Sequence, residues 1–230
     1  MLLPTMEKEI KKLLDAKIII PLRYSDWIVN LVPVRKKNGE IRLCVHYRNL
    51  NKCSRKDNYP LPKMEHILQK VLGSSAMSFI DGFSGYNQIA VHSDDREKTS
   101  FTTPWGTFMY EKMLFRLMNA GATFQRAMDI AFVGEKDKFV LIYLDDITIF
   151  SHSHEEHLQH LRKTFLKWRS YGISLNPKKS NFALKEGKLL GHIVSAEGVK
   201  IDPKRVEATH KLSLPRSKRT SSLSLEPLIS

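Results

Sequence analysis

Cysteine is nearly missing from this chain: 230 residues contain two, Cys44 and Cys53. Two thiols so close in sequence are too few for a disulfide framework or a zinc site, and the plain reading is reduced cysteines in an intracellular protein. Long apolar runs are missing as well. A membrane-spanning helix needs about 18 or more consecutive apolar residues. The best run here, FVLIY at 139–143, is broken almost at once by Asp145 and Asp146. The first residues lack the basic-then-apolar layout of a secretory signal. No internal repeat is visible. The expectation is a soluble, intracellular chain, cytoplasmic by default, with no membrane partner. Acidic residues are also short: 24 Asp plus Glu face 37 Lys plus Arg, a net charge of +13. That excess suits a polyanionic partner, whose counterions basic side chains release on binding, but charge alone leaves an inert basic surface equally open.

What is present reads as a globular chain, 42% apolar and 27% charged. Residues 6–17 read as an amphipathic helix with Met6, Ile10, Leu13 and Leu14 on one face and Thr5 as its N-cap. Asn38-Gly39 between two alternating runs is a strong hairpin signal. On the second strand Ile41, Leu43, Val45 and Tyr47 share one face, and Arg42, Cys44, His46 and Arg48 share a basic other face. DNYPLP at 57–62 must be extended through its prolines. A short helix over 63–72, a strand at 78–81, a helix over 120–132 and a β-hairpin over 138–150 follow. The glycines of GFSGYNQIAV suggest a bend or a close backbone approach. Ser153 and Glu156 form a capping box for a helix that buries Leu158, Leu161, Phe165 and Trp168 and ends at Gly172. ISLNPKKSNFAL and KLLGHIVS read as a strand pair. Residues from about 211 on, rich in Ser, Leu and Pro, show no period and read as disordered.

The chemistry is concentrated at Tyr143-Leu144-Asp145-Asp146. Adjacent aspartates at a turn are commonplace, because Asp tolerates turn geometry and is well solvated there. The flanks FVLIY and ITIF change the balance. They would lie deep in a sheet and leave two like charges on a buried scaffold, where each raises the other's pKa unless a cation is bound. Hard divalent ions with oxygen ligands answer that need. Asp81 ends a second apolar strand upstream. Placed beside Asp145 in one sheet, it would complete a carboxylate set able to hold two ions about 3.5–4 Å apart, as in-line attack at phosphorus requires. His152, His154, His157 and His160 invite a zinc reading. No thiol accompanies them, however, and the capping box already explains the polar helix start.

Six blocks, FIDGFSGYNQI, KTSFTTPWGTF, NAGATFQRAM, VLIYLDDITIFS, GISLNPKKSNF and LLGHIVSAEGVKIDP, together resemble reverse transcriptases, most closely those of gypsy-type LTR retrotransposons. The resemblance spans roughly residues 6–210. It implies an α+β fold of fingers and palm, with an antiparallel palm sheet backed by helices. Fingers are expected at 1–57 and 90–119, and palm at 58–89 and 120–205. Residues 206–230 form a tail, and no thumb, connection or RNase H domain is expected. With suitable codons the tail is also readable as a frameshifted form of the family's normal continuation, the frame changing near 217–219. The implied activity is RNA-directed DNA polymerisation, adding deoxynucleotides from their triphosphates to a primer 3′-hydroxyl on an RNA or DNA template. The implied cofactor is two Mg²⁺ ions, with Mn²⁺ as a substitute.

The resemblance also implies roles for individual residues. Asp81, Asp145 and Asp146 match the catalytic, metal-binding triad. Lys179 matches the lysine that protonates pyrophosphate. Lys36 and Arg42 match the fingers residues that grip the triphosphate, though from the residues alone they read equally as a solvated hairpin edge. Tyr86 matches the residue beneath the incoming sugar that excludes a 2′-hydroxyl; its simpler role is a core tyrosine. Phe115 completes the nucleotide-binding set. Gln125 and Arg126 fall on the template side, beside Phe124, which packing alone would explain. Tyr143, Leu190, Gly191 and His192 match nucleic-acid contacts, the last three at the primer end.

Three departures stand out. Leu114-Phe115-Arg116 replaces a customary Pro-Phe-Gly, so an arginine with its steric limits on φ stands where glycine lets the backbone approach the nucleotide. His46 replaces an aspartate that would partner nearby arginines. Ser180 replaces a cysteine, an exchange expected to be mild. Arg116 and the tail support a competing reading, a catalytically silent retrotransposon relic that at most binds nucleic acid.

Overall fold

The computed structural model describes residues 3–35, 39, 41–82 and 85–211, with Arg42 as backbone alone. Helix α1 spans Leu3–Asp15, starting earlier than its apolar period suggests. Pro4, tolerated in a first turn because that N–H needs no partner, sits at its start. Thr5 therefore lies inside the helix and is not its cap. The predicted face still points inward: Met6 and Ile10 are buried, and Leu13 and Leu14 pack against the same core.

Strands β1 (Ile19–Pro21), β2 (Val29–Arg35) and β3 (Ile41–Val45) come next. Short helices α2 (Arg48–Cys53) and α3 (Met64–Val71) follow, separated by the extended stretch that Pro60 and Pro62 impose. Strand β4 (Ala76–Asp81) leads through a 3-10 turn at Gly85–Gln88 and helix α4 (Ser93–Arg96) to β5 (Phe101–Thr103) and β6 (Gly106–Tyr110). Helix α5 (Ala120–Ala131), strands β7 (Val140–Tyr143) and β8 (Asp146–Ser151) and helix α6 (His154–Tyr171) form the centre. Strands β9 (Asn181–Leu184), β10 (Glu186–Leu189), β11 (His192–Ser195) and β12 (Gly198–Ile201) and helix α7 (Pro203–His210) complete the described chain.

The strands build three sheets, ordered β1-β6-β5-β2-β3, β7-β8-β4-β9 and β10-β11-β12. All pairings are antiparallel except β2 with β5. The architecture is thus the α+β type expected. The β2–β3 hairpin pairs from Leu31↔Val45 to Arg35↔Ile41. In its connection Gly39 takes φ 85°, while Asn38 and Lys36 lie outside the described residues. The basic outer face expected on β3 is only partly realised. His46 and Arg48 are exposed, but Cys44 is buried, and Arg48 already opens α2.

The expected pairing of ISLNPKKSNFAL with KLLGHIVS does not occur. Strand β9 instead joins β4 in the four-stranded sheet. KLLGHIVS folds on itself, Leu189 pairing with His192. Leu190 and Gly191, both at positive φ, supply a turn that a continuous strand reading overlooks. Residues 206–210, assigned to the aperiodic tail, are helical in α7, whose start Asp202 caps by accepting the Lys204 N–H at 3.1 Å. The rest of the tail, from 212 on, lies outside the described residues.

Helix α6 begins and ends as its sequence dictates. Ser153 accepts the Glu156 N–H at 3.2 Å, Glu156 accepts the His152 N–H at 3.0 Å, and Gly172 closes the helix in the left-handed conformation. Its buried face is rotated from the expected one. Leu161 and Trp168 are buried, joined by His157 and Thr164, whereas Leu158 and Phe165 are exposed. His157 replaces Leu158 at the interface because two buried serines of the sheet meet it. Its ring nitrogens lie 2.7 Å from Ser78 Oγ and 3.0 Å from Ser151 Oγ. The central core packs Ile80, Phe124, Phe132, Ile142, Ile147 and Trp168 between the four-stranded sheet and helices α5 and α6. Burying each such side chain contributes about 1.5–3 kcal/mol.

Candidate active site

The three aspartates converge because two strand ends meet. β4 and β8 run antiparallel with Asp81 opposite Asp146, and β7 and β8 pair Tyr143 with Asp146. The turn between them is Leu144-Asp145, so Asp145 stands at the tip beside the Asp81–Asp146 pair. Burial of the Asp146 carboxyl raises its pKa, and the negative charges of Asp145 and then Asp81 raise it further. This is the response of carboxylates crowded without a cation among them. Lys179 Nζ lies 3.6 Å from Asp81 Oδ2 with most of its side chain in solvent. Among the described residues no three His, Cys, Asp or Glu side chains are drawn together closely enough to hold one metal ion.

Tyr86 lies behind these carboxylates, on the 3-10 turn after β4, and is buried. Burial, then Asp145 and Asp146, push its hydroxyl up to about 12, so it stays a neutral phenol. Its ring meets Phe124 at 5.2 Å and, edge-on, Phe115 at 5.4 Å. Phe115 itself is largely exposed, 64% of its surface being open, so it forms a lip over Tyr86. Gly85 brings this turn against the palm: a Cβ there would stand 3.2 Å from the Phe124 ring and 4.0 Å from Asp145 Cβ. The close approach suggested by the glycines is real at this position. A cleft of about 220 Å³ opens on the other side of the aspartates, lined by Asp81, Asp146, Lys179, Lys188, Leu189 and Leu190. The β10–β11 turn therefore borders the carboxylates. His192 begins β11, with Nδ1 3.1 Å from the Leu190 carbonyl.

Helix α5 departs from expectation. Gln125, expected to face nucleic acid, is completely buried. Its Oε1 accepts the Leu144 N–H at 2.9 Å, and its Nε2 donates to the Ile142 carbonyl at 3.1 Å and to Asp129 Oδ1 at 2.9 Å. Arg126 is committed within the chain as well. It donates to both oxygens of Asp57, at 2.9 and 2.7 Å, and its guanidinium lies 4.7 Å from the centre of the Tyr59 ring. Both residues face protein because α5 packs its Phe124–Gln125 side onto the hairpin and its Arg126 side onto the 57–59 stretch. Tyr143, half-buried, packs beside the cluster of Met77, Leu141 and Leu189.

A family model described as reverse transcriptase (RNA-dependent DNA polymerase) matches residues 34–194. The chain belongs to the reverse transcriptase family. It is 35% identical over 214 residues to the retrovirus-related Pol polyprotein from transposon 297 of Drosophila melanogaster, covering 91% of this chain and 20% of that polyprotein. The Pol polyprotein from transposon gypsy of the same organism is 32% identical over 220 residues, covering 91% and 21%. The chain thus spans about a fifth of the length of these relatives, and its likeness to gypsy-type retrotransposon enzymes agrees with the motif blocks. In fold it is similar to a foamy viral protease–reverse transcriptase solved with double-stranded DNA, with a TM-score of 0.85 at 22% identity over 98% of this chain and 39% of that one.

The structure also locates the departures from the reverse transcriptase pattern. Arg116 is exposed, and its φ is not positive; the non-glycine residues that do take positive φ are Lys17, Asp137, Leu144, Ala183 and Leu190. The backbone reason for a glycine is therefore absent at this position. Asn51 ties the segment down, donating to the Arg116 carbonyl and accepting the Met118 N–H, each at 2.9 Å. Ser180 does more than fill a cysteine's place. Its hydroxyl donates to the Asn176 carbonyl at 2.7 Å and accepts the Asp81 N–H at 3.3 Å, bracing the catalytic strand end. Sequence reasoning also passed over Asp129, although its i,i+4 spacing from Gln125 is a recognised helical pairing. Lys36 lies outside the described residues, and of Arg42 only the backbone, opposite Val34, is described. The histidines bond to serines: His157 as above, and His160 through Nδ1 to Ser151 Oγ at 2.8 Å, its ring stacked 4.0 Å from Phe139.

Proposed function

We propose that this chain is the fingers-and-palm part of an RNA-directed DNA polymerase, extending a primer 3′-hydroxyl with deoxynucleotides on an RNA or DNA template. The observation that carries the reading is the Asp81–Asp146 register pair with Asp145 beside it and an Asp146 carboxyl whose pKa the other two raise. The donor set fits divalent cations: three hard oxygen ligands that repel one another until a cation neutralises them. Divalent-metal dependence is general in the family, and Asp81, Asp145 and Asp146 would hold two Mg²⁺ or Mn²⁺ ions. Such ions supply activation of the attacking hydroxyl and neutralisation of charge on the phosphates.

The remaining steps belong to the chain's own groups. Lys179, free to swing from Asp81, delivers its proton to the departing pyrophosphate. Tyr86, neutral and wedged between Phe115 and Phe124, forms a floor for the sugar that leaves no room for a 2′-hydroxyl. Lys36 and Arg42 hold the triphosphate from the β2–β3 hairpin, and Leu190, Gly191 and His192 hold the primer end across the cleft. The fingers then comprise 1–57 and 90–119, and the palm 58–89 and 120–205. The excess of basic residues suits the polyanionic template, and the solved relatives hold double-stranded DNA or an RNA/DNA hybrid.

The test is extension of a DNA primer on an RNA template with Mg²⁺ or Mn²⁺. The natural chain is expected to extend with deoxynucleotides, and Asp145→Asn to lose roughly a thousandfold or more of that rate. Extension that survives Asp145→Asn, or none by the natural chain, would overturn the reading.

A further inference from the structure

Leu144 takes φ 54°, a conformation that branched L-residues rarely adopt. It immediately precedes Asp145. A turn of this kind persists only where its surroundings over-determine it, and the surroundings here come from one helix. Gly121 of α5 leaves the space into which Leu144 packs; a Cβ at that position would stand 3.1 Å from Leu144 Cδ2. One turn later Gln125 grips the backbone on both sides of Tyr143, through the Leu144 N–H and the Ile142 carbonyl. A single amide uses its acceptor and both of its donors, the second donor going to Asp129. Asp129 is itself held by the Tyr59 hydroxyl at 2.8 Å and by Lys136 at 2.5 Å. This carboxylate fixes the amide's orientation, because a flipped Gln125 would set Oε1 against two acceptors and leave the Leu144 N–H facing a donor.

We propose that Gln125, oriented by Asp129, is a positioning residue that holds the Leu144-Asp145 turn in its unfavourable conformation and thereby places the Asp145 carboxylate. The proposal rests on the polymerase reading for its kinetic consequences but not for its structural one. It also links the turn, through Asp129 and Tyr59, to the 57–59 stretch that Arg126 clasps.

Two variants test it. Gln125→Met keeps the volume and removes the amide. Hydrogen exchange at the Leu144 amide is expected to accelerate about tenfold or more, in a chain that remains folded by circular dichroism. In primer extension its kcat falls about 10- to 100-fold, with KM for primer–template unchanged. Gln125→Glu keeps the acceptor but, when ionised, turns a second oxygen towards Ile142 and Asp129. Its activity relative to the natural chain is expected to rise as pH falls and the new carboxyl regains a proton to donate. Unchanged exchange at Leu144 in Gln125→Met overturns the proposal. So does a raised KM with unchanged kcat, which would mean direct template contact, or a flat activity ratio for Gln125→Glu. Should the natural chain not extend a primer at all, the polymerase reading fails while the exchange measurement still decides the hold on the turn.

Discussion

At the scale of single residues, Arg116 shows how a substitution alarming in sequence becomes ordinary in structure. Its side chain points to solvent beside Phe115, and its backbone lies outside the left-handed region. Arg116→Gly is accordingly predicted to shift stability by no more than about 1 kcal/mol, read as the urea midpoint. It is also predicted to leave primer extension close to that of the natural chain. Recovery of extension from a silent natural chain would instead identify the guanidinium as an obstruction. The aspartates were legible from sequence because the chemistry allows few alternatives: carboxylates at the ends of apolar strands are otherwise costly. Gln125 and Arg126 were not legible in the same way. Whether a polar residue on a helix faces solvent or a neighbouring backbone depends on how the helix is rotated against the hairpin. Only the Gln125–Asp129 spacing hinted at the answer. Ser180 was undervalued because its partner, the Asp81 amide, lies far away in sequence.

At the scale of elements, periodicity and capping placed most helices and strands, and their faces less reliably. The α6 boundaries followed from Ser153, Glu156 and Gly172. Its buried face did not, since His157 displaces Leu158 to meet Ser78 and Ser151. A hydrophobic count cannot see a buried polar network. Ser153→Ala is predicted to cost about 1 kcal/mol, measured by urea denaturation, with extension activity retained, because the cap lies at the far end of β8 from Asp146. The β9–β12 region was misread for a related reason. The turn at Leu190 and Gly191 divides an apolar run that looks continuous, and β9 finds its partner in β4, a strand distant in sequence.

At the scale of the whole molecule, His157 and His160 join α6 to the four-stranded sheet and make stability depend on pH. Burial lowers the pKa of each, with His160 and His154 adding to the effect at His157. Below an unfolded value of about 6.5 the unfolded chain binds protons that the folded chain resists. Stability is therefore fully present above that pH and is lost as pH falls through the depressed folded values. The urea midpoint is predicted to drop between about pH 7.5 and pH 5.5, less steeply in His157→Gln. An equal slope in both would remove His157 from the explanation.

The account rests finally on the three carboxylates acting together as a cation site, and direct titration with Mn²⁺, followed by electron paramagnetic resonance of the free ion, measures that without requiring turnover. The natural chain is predicted to bind Mn²⁺, and Asp145→Asn and Asp146→Asn each to bind it markedly more weakly. Binding that is absent from the natural chain, or unchanged in both variants, would contradict the central claim.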